Sequence, residues 1–185
     1  MATYSDAQVK SIIKWKPVTL HQKRLHLCCL LMLDTGCRIG AALGVRVADF
    51  DWDNLLVKFT SKGQHQHLCP ISFELRKAAY KLAQTMRSAE GATVSPDERV
   101  FDGMDNRNTF RDVVNLCRKL GFTPPRRTLH AFRHTFAVNY LRRGGSVFHL
   151  QKMLNHKSLE MSRRYANLST ADLSAVHERL SLLSR

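Results

Sequence analysis

The sequence predicts an α+β domain, mostly helical, with a small antiparallel β-sheet, and three observations carry that prediction. Capping signals followed by apolar residues at helical spacing recur along the chain. A single pair of short alternating segments, LLVKFT and HQHLCPI, flanks the turn SKGQ. The 185 residues are 44% hydrophobic, enough for one sizeable core.

The elements follow in order. Ser5 with Gln8, and Thr19 with Gln22, read as capping boxes opening two helices. The second of these, LHQKRLHLCCLLMLD, is apolar enough in its latter half to be buried, and Gly36 ends it. RIGAALG reads as a short helix, and the hairpin comes next. Ser72 caps a helix from about Phe73 to Arg87, and SAEGATVSPDER is the one loop candidate of any length. A further helix is expected from about Thr109 to Leu120, and TPPRR forms a rigid approach to the next. That next helix is LHAFRHTFAVNYLRRG, capped by Thr128 and ended by Gly144. Short helices follow from Val147, from Leu159 and from Ala171.

Composition narrows the function. No apolar run approaches the ~20 residues needed to span a membrane, and the N-terminus shows no cleavable signal pattern. Five cysteines, Cys28, Cys29, Cys37, Cys69 and Cys117, form no CxxC pair and read as reduced core thiols of a cytosolic protein. Lys plus Arg number 29 against 15 Asp plus Glu, a formal net charge of +14. Between Val113 and Leu159 there is no acid at all, against nine Lys or Arg and four His. A basic excess so placed points to a polyanionic partner; a merely solvated basic face is the plainer reading.

One residue breaks the helical pattern. In LHAFRHTFAVNYLRRG, Leu129, Phe136, Ala137 and Tyr140 share an arc of roughly 100°, and Arg133 lies inside it with His130 at the edge. A charge on a core stripe needs an anion, because leaving it unpaired costs several kcal/mol. An internal salt bridge is one answer, but no acid lies in the 20 residues before Arg133 or the 26 after it. An external phosphate is the other, suited to the guanidinium fork, with His130 three residues earlier on the same face as a further donor.

These residues also form a pattern. HAFRH, LNH at 154–156 and RRYAN around Tyr165 resemble the catalytic core of the tyrosine recombinases, the family of phage-type integrases and Xer-type resolvases. His156 follows Arg133 by 23 residues and Tyr165 follows His156 by nine, spacings similar to the family's. LDTGCRIGAALGVRVADFD resembles the block that holds the family's first arginine, which puts that role on Arg38. SKGQHQHLCPI resembles its lysine hairpin, which puts that role on Lys62. The sequence departs from the family at Ala41, where an acid is common, at Asn155 in place of Gly, and at Met161 and Ser162 in place of two threonines.

The resemblance implies a tyrosine-recombinase (DNA breaking–rejoining) catalytic domain fold over residues 1–185, with no N-terminal core-binding domain. It implies a site-specific recombinase that cleaves and rejoins double-stranded DNA through a 3′-phosphotyrosyl intermediate, without metal or other cofactor. Tyr165 would be the nucleophile. Arg38, Arg133 and His156 would hold the phosphate, His130 would accept or relay the tyrosine proton, and Lys62 would protonate the leaving 5′-oxygen. Each has a plainer reading: Tyr165 as a core aromatic, Arg38 as a counter-charge to the preceding helix C-terminus, Lys62 as a turn residue with Lys58 as rival acid. His130 with His134, or His65, His67 and Cys69, resemble metal spacings but lack a completing ligand. A DNA-binding regulator without catalysis and a type IB topoisomerase-like activity are the alternative functions. The implied partners are DNA and further copies of the chain, dimer to tetramer, in the cytoplasm at the nucleoid, with no membrane. A C-terminal helix at about 170–183 carries the stripe Leu173, Val176, Leu180 and Leu183, docked on its own domain or exchanged between protomers.

Overall fold

The computed structural model describes residues 1–60, 66–90, 95–156 and 158–166. Eight helices and a three-stranded sheet make up these residues, in the order α1 (Asp6–Lys14), α2 (Leu20–Thr35), α3 (Ile39–Leu43), β1 (Phe50–Asp51), β2 (Leu56–Thr60), β3 (Gln66–Pro70), α4 (Phe73–Glu90), α5 (Asn106–Lys119), α6 (Thr128–Arg142), α7 (Val147–Leu154) and α8 (Leu159–Ala166). The mostly helical class with a small antiparallel sheet is as the sequence predicts. The expected hairpin is present, β2 against β3 with Thr60 opposite Gln66. A third strand, β1, adds Phe50 opposite Val57. At two residues it is too short to show an alternating pattern.

Local chemistry explains most helix starts and the places where they depart from expectation. The Ser5–Gln8 box closes in both directions. At Thr19 only half a box forms: Thr19 Oγ1 accepts from the Gln22 amide, but the Gln22 side chain accepts from Val18. Helix α5 begins three residues earlier than Thr109, because Asp105 and Asn108 form the reciprocal cap. An Asp-x-x-Asn pair does the work usually sought in Ser/Thr-x-x-Glu/Gln. Helix α4 runs on to Glu90, so it absorbs the first residues assigned to the loop.

Helix α6 is the axis of the molecule and corrects two expectations. Thr128 does not cap it: Thr128 is its first residue, its hydroxyl donating to the Pro125 carbonyl at 3.0 Å. Nor does α6 bury one stripe. Ala131, Phe132, Thr135, Val138 and Leu141 are buried along with Arg133 and Ala137, while Leu129, Phe136 and Tyr140 are only half-buried. The reason is packing on several sides, against α2, α5, α7 and α8. Tyr4 pins the N-terminal segment to this axis. Its amide donates to Thr135 Oγ1 at 2.9 Å, its hydroxyl donates to the Thr128 carbonyl at 3.2 Å, and its ring lies 4.7 Å from that of Phe132. All five cysteines are free and buried, and burial lifts their thiols well above the ordinary range, as core filler requires.

Candidate active site

Arg133 is held not by an anion of the chain but by backbone carbonyls. Its Nη1 donates to the Gly36 carbonyl and its Nη2 to the Leu154 carbonyl, each at 2.9 Å. Gly36 is the C-cap of α2 and Leu154 the last residue of α7. Carbonyls at helix C-termini carry unpaired lone pairs and the negative end of the helix dipole, so two of them hold a guanidinium well. The internal salt bridge considered for Arg133 is therefore not what holds it. The capping role considered for Arg38 belongs to Arg133 instead.

This anchorage explains Gly36. Its φ is +65°, and a Cβ there would run into the Phe136 ring and lie 2.6 Å from Leu154 Cδ2. Only glycine lets α2, α6 and α7 converge on one guanidinium. Burial and the neighbouring Arg38 lower the Arg133 pKa to about 10, which leaves it charged at neutral pH.

A cleft of about 580 Å³ opens beside this point, lined by Arg38, His130, Arg133, His67, Asn155 and residues of β2, α3 and α7. Among the described residues no carboxylate lines it. Arg38 precedes α3 and is exposed. Among the described residues it forms no ion pair, and Ala41, which also lines the cleft, offers it none. Every described Lys and Arg from 113 to 159 other than Arg133 is exposed, so the acid-free stretch presents its charge to solvent.

His156 and Tyr165 are not part of the cleft lining. Their rings stack, with centroids 6.3 Å apart and planes 7° from parallel. His156 Nδ1 is 2.8 Å from Ser162 Oγ, both buried, so the serine in place of a threonine holds the ring. Burial first, then Arg133 and Arg38, push the His156 pKa down to about 4, so the ring is neutral at pH 7. With Ser162 donating to Nδ1, Nε2–H is the donor left for a phosphate oxygen. Asn155, at φ +49°, caps α7 in the left-handed conformation that a glycine would take, and asparagine tolerates it.

Tyr165 is 4% exposed. Burial raises its pKa, while the charge of Arg133 and a hydrogen bond from it act in the opposite direction. Its hydroxyl lies 2.9 Å from Nδ1 of His134. The histidine in contact with the tyrosine hydroxyl is thus His134, one residue beyond Arg133, and not His130, to which the resemblance gives the tyrosine proton. The signal was the His130–His134 pair, one helical turn apart with rings 5.8 Å from each other.

Of the six residues singled out, Arg38, His130 and Arg133 meet in the cleft, with His156 and Tyr165 adjoining. Lys62 lies outside the described residues, as do His65 and the C-terminal stripe from Leu173 to Leu183. Lys58, the rival acid, is paired to Asp49 at 3.1 Å and does not line the cleft. Among the described residues no three His, Cys, Asp or Glu side chains gather as a metal site, and no helix is long and apolar enough to cross a membrane.

Known proteins share this arrangement of sequence and fold. The tyrosine recombinase XerC of Rhizobium meliloti (strain 1021) is 29% identical over 154 residues, covering 80% of the chain and 47% of the relative. The XerA recombinase crystal structure superposes with a TM-score of 0.77 at 21% identity, covering 98% of this chain and 65% of that one. A XerH site-specific recombinase, described as a pre-cleavage complex bound to its difH substrate, superposes with a TM-score of 0.73 at 18% identity, covering 94% and 53%. The fold is thus that of tyrosine recombinases, as the resemblance implied. The chain spans about half the length of the curated relatives it matches. The profile of the phage integrase family matches residues 4–172, and the chain belongs to that family.

Proposed function

We propose that this domain cleaves and rejoins double-stranded DNA at specific sites, with Tyr165 as nucleophile and a 3′-phosphotyrosyl intermediate. The observation that supports this best is the cleft in which Arg38, His130 and Arg133 converge without a carboxylate among the described residues, with the charge of Arg133 acting on the adjoining Tyr165. A free tyrosine of pKa ~10 is ionised about one part in a thousand at pH 7, a cost of roughly 4 kcal/mol. Positive groups fixed before the substrate arrives lower that cost and stabilise charge developing on phosphorus. Arg38 and Arg133 clamp the non-bridging oxygens, and neutral His156 donates to the same phosphate. Lys62 supplies the proton to the leaving 5′-oxygen, a reading supported by the flanking strands, whose Thr60 and His67 line the cleft. The chemistry needs no metal and no nucleotide.

A nicked DNA substrate should yield a denaturation-resistant protein–DNA adduct that Tyr165→Phe abolishes with DNA binding almost unchanged. An adduct formed by the phenylalanine variant would overturn the assignment. A sulfur at the 5′ bridging position needs no acid to leave, so it should restore much of the rate lost in Lys62→Ala. The protein acts as a homo-oligomer on DNA, dimer to tetramer, linked through residues 170–185. Sedimentation on a two-site DNA should show the truncated chain binding but assembling poorly.

A further inference from the structure

We infer that His134 is a catalytic residue, the base that takes the proton from the Tyr165 hydroxyl. The inference rests on the reading of Tyr165 as nucleophile and adds the group that activates it. Geometry carries it. His134 Nδ1 is 2.9 Å from the tyrosine oxygen, with ring centroids 5.7 Å apart. The positive charge of Arg133 acts on the same hydroxyl and favours its ionised form. The hydroxyl thus has an acceptor for its proton at 2.9 Å and a cation whose charge favours the phenolate, the pairing that an activated nucleophile requires. His130, expected to play this part, belongs to the cleft lining beside Arg38 and Arg133, where it faces the phosphate site.

The protonation state agrees with the geometry. Facing His134 are His130 and Arg133 of its own helix, Arg127 of the approach to it, Tyr165 of α8 and the amino terminus. Burial and these positive neighbours hold its pKa below the ordinary histidine value, so at pH 7 the ring is neutral. With its proton on Nε2, Nδ1 is free to accept. In the step itself the Tyr165 O–H bond breaks and its proton moves to Nδ1. The phenolate oxygen bonds to phosphorus, and the P–O5′ bond breaks with its electrons on O5′, which takes a proton from Lys62. On rejoining, the 5′-hydroxyl returns its proton to Lys62 and attacks phosphorus, and the released tyrosine recovers its own from His134.

His134→Asn tests this directly, because its side-chain oxygen can stand where Nδ1 stands and accept the hydrogen bond but cannot take up a proton. Single-turnover adduct formation on nicked DNA is measured for His134→Asn, His134→Ala and Tyr165→Phe, with the dissociation constant for the same DNA. Expected is a loss of about 100-fold in rate for His134→Asn with DNA affinity within about twofold. Free imidazole should restore part of the rate to His134→Ala, in proportion to its unprotonated fraction. Wild-type rate in His134→Asn would show that the ring only positions the tyrosine, and a faster rate would show that it restrains it. Either result overturns the assignment and, with Tyr165→Phe inactive, leaves the nucleophile standing. An adduct in Tyr165→Phe would instead remove the nucleophile reading itself.

Discussion

Two arginines face the same cleft and could hardly be held more differently. Arg133 is 5% exposed and donates to carbonyls at the ends of two helices, at 2.9 Å each. Arg38 is exposed at the entry to a five-residue helix and forms no ion pair among the described residues. One is part of the fold and the other is available to a ligand. A buried charge must be satisfied by whatever the chain provides, and here the backbone does it, because the surrounding sequence has no acid to offer. An exposed charge is under no such demand, so its position is set by solvent until an anion arrives. Arg133 therefore contributes to stability and to the site together, whereas Arg38 contributes to the site alone.

The largest effect should come from Arg133→Ala. The substitution leaves the Gly36 and Leu154 carbonyls without their donor in the core, and removing one side of such an arrangement costs roughly 3 kcal/mol. Urea unfolding should show that loss together with complete loss of adduct. Arg133→Lys keeps a charge but not the fork that reaches two carbonyls, so it should fall between in stability while remaining inactive. Wild-type stability in Arg133→Ala would mean the carbonyls find other partners and the contrast with Arg38 fails.

Arg38→Ala sharpens the same contrast from the other side. Its unfolding free energy should stay within about 0.5 kcal/mol of wild type, as surface substitutions do. Adduct formation should fall about 100-fold, the scale for removing one group that stabilises transition-state charge.

A smaller effect is expected from pH, through His156. His156 is neutral in the fold with its pKa near 4, and in the unfolded chain it titrates near the ordinary value of about 6.5. Between these limits the unfolded chain binds more protons, so stability is full above the upper value and falls as pH drops toward the lower. The slope approaches about 1.4 kcal/mol per pH unit at its steepest. His130 and His134, also lowered, act in the same direction. Unfolding at pH 7, 5.5 and 4.5 should show the decline, and His156→Gln should flatten it. An equal slope in the variant would assign the pH dependence to other groups.

How far the sequence could be read follows from the same contrast. Arg133 is conspicuous in sequence because a charge on a core stripe breaks a pattern, and the partners the sequence suggests are a distant acidic side chain or an external phosphate. Its actual partners are main-chain carbonyls from residues 97 and 21 positions away, which no side-chain motif reports. Capping residues revealed the helices where the cap was a familiar pair, at Ser5, and misplaced an end where it was not, at Asp105. His134 was visible only as half of a poor metal pair, since its role depends on α8 folding back to bring Tyr165 alongside. Resemblance and spacing nominate the candidate residues, and the packing of α2, α6, α7 and α8 shows which of the described ones touch.

The smallest effect tests whether Arg38 must be free to move. Ala41 lies three residues after it, within the cleft lining, and the Ala41 amide donates to the Arg38 carbonyl at 2.9 Å, so the two are one helical turn apart. Ala41→Glu places a carboxylate where it can pair with the guanidinium, and exposed pairs at this spacing stabilise by about 0.2–0.5 kcal/mol. That is enough to favour one arrangement of Arg38 about twofold. The added negative charge also opposes DNA, so the dissociation constant should rise modestly while the cleavage rate of bound DNA rises about twofold. Measuring binding and single-turnover cleavage separately resolves the two, at low salt where both effects are largest. If the bound complex cleaves more slowly, the carboxylate is competing with the phosphate for Arg38. An unsupported arginine would then be the better design for this cleft, and Ala41 would be part of it.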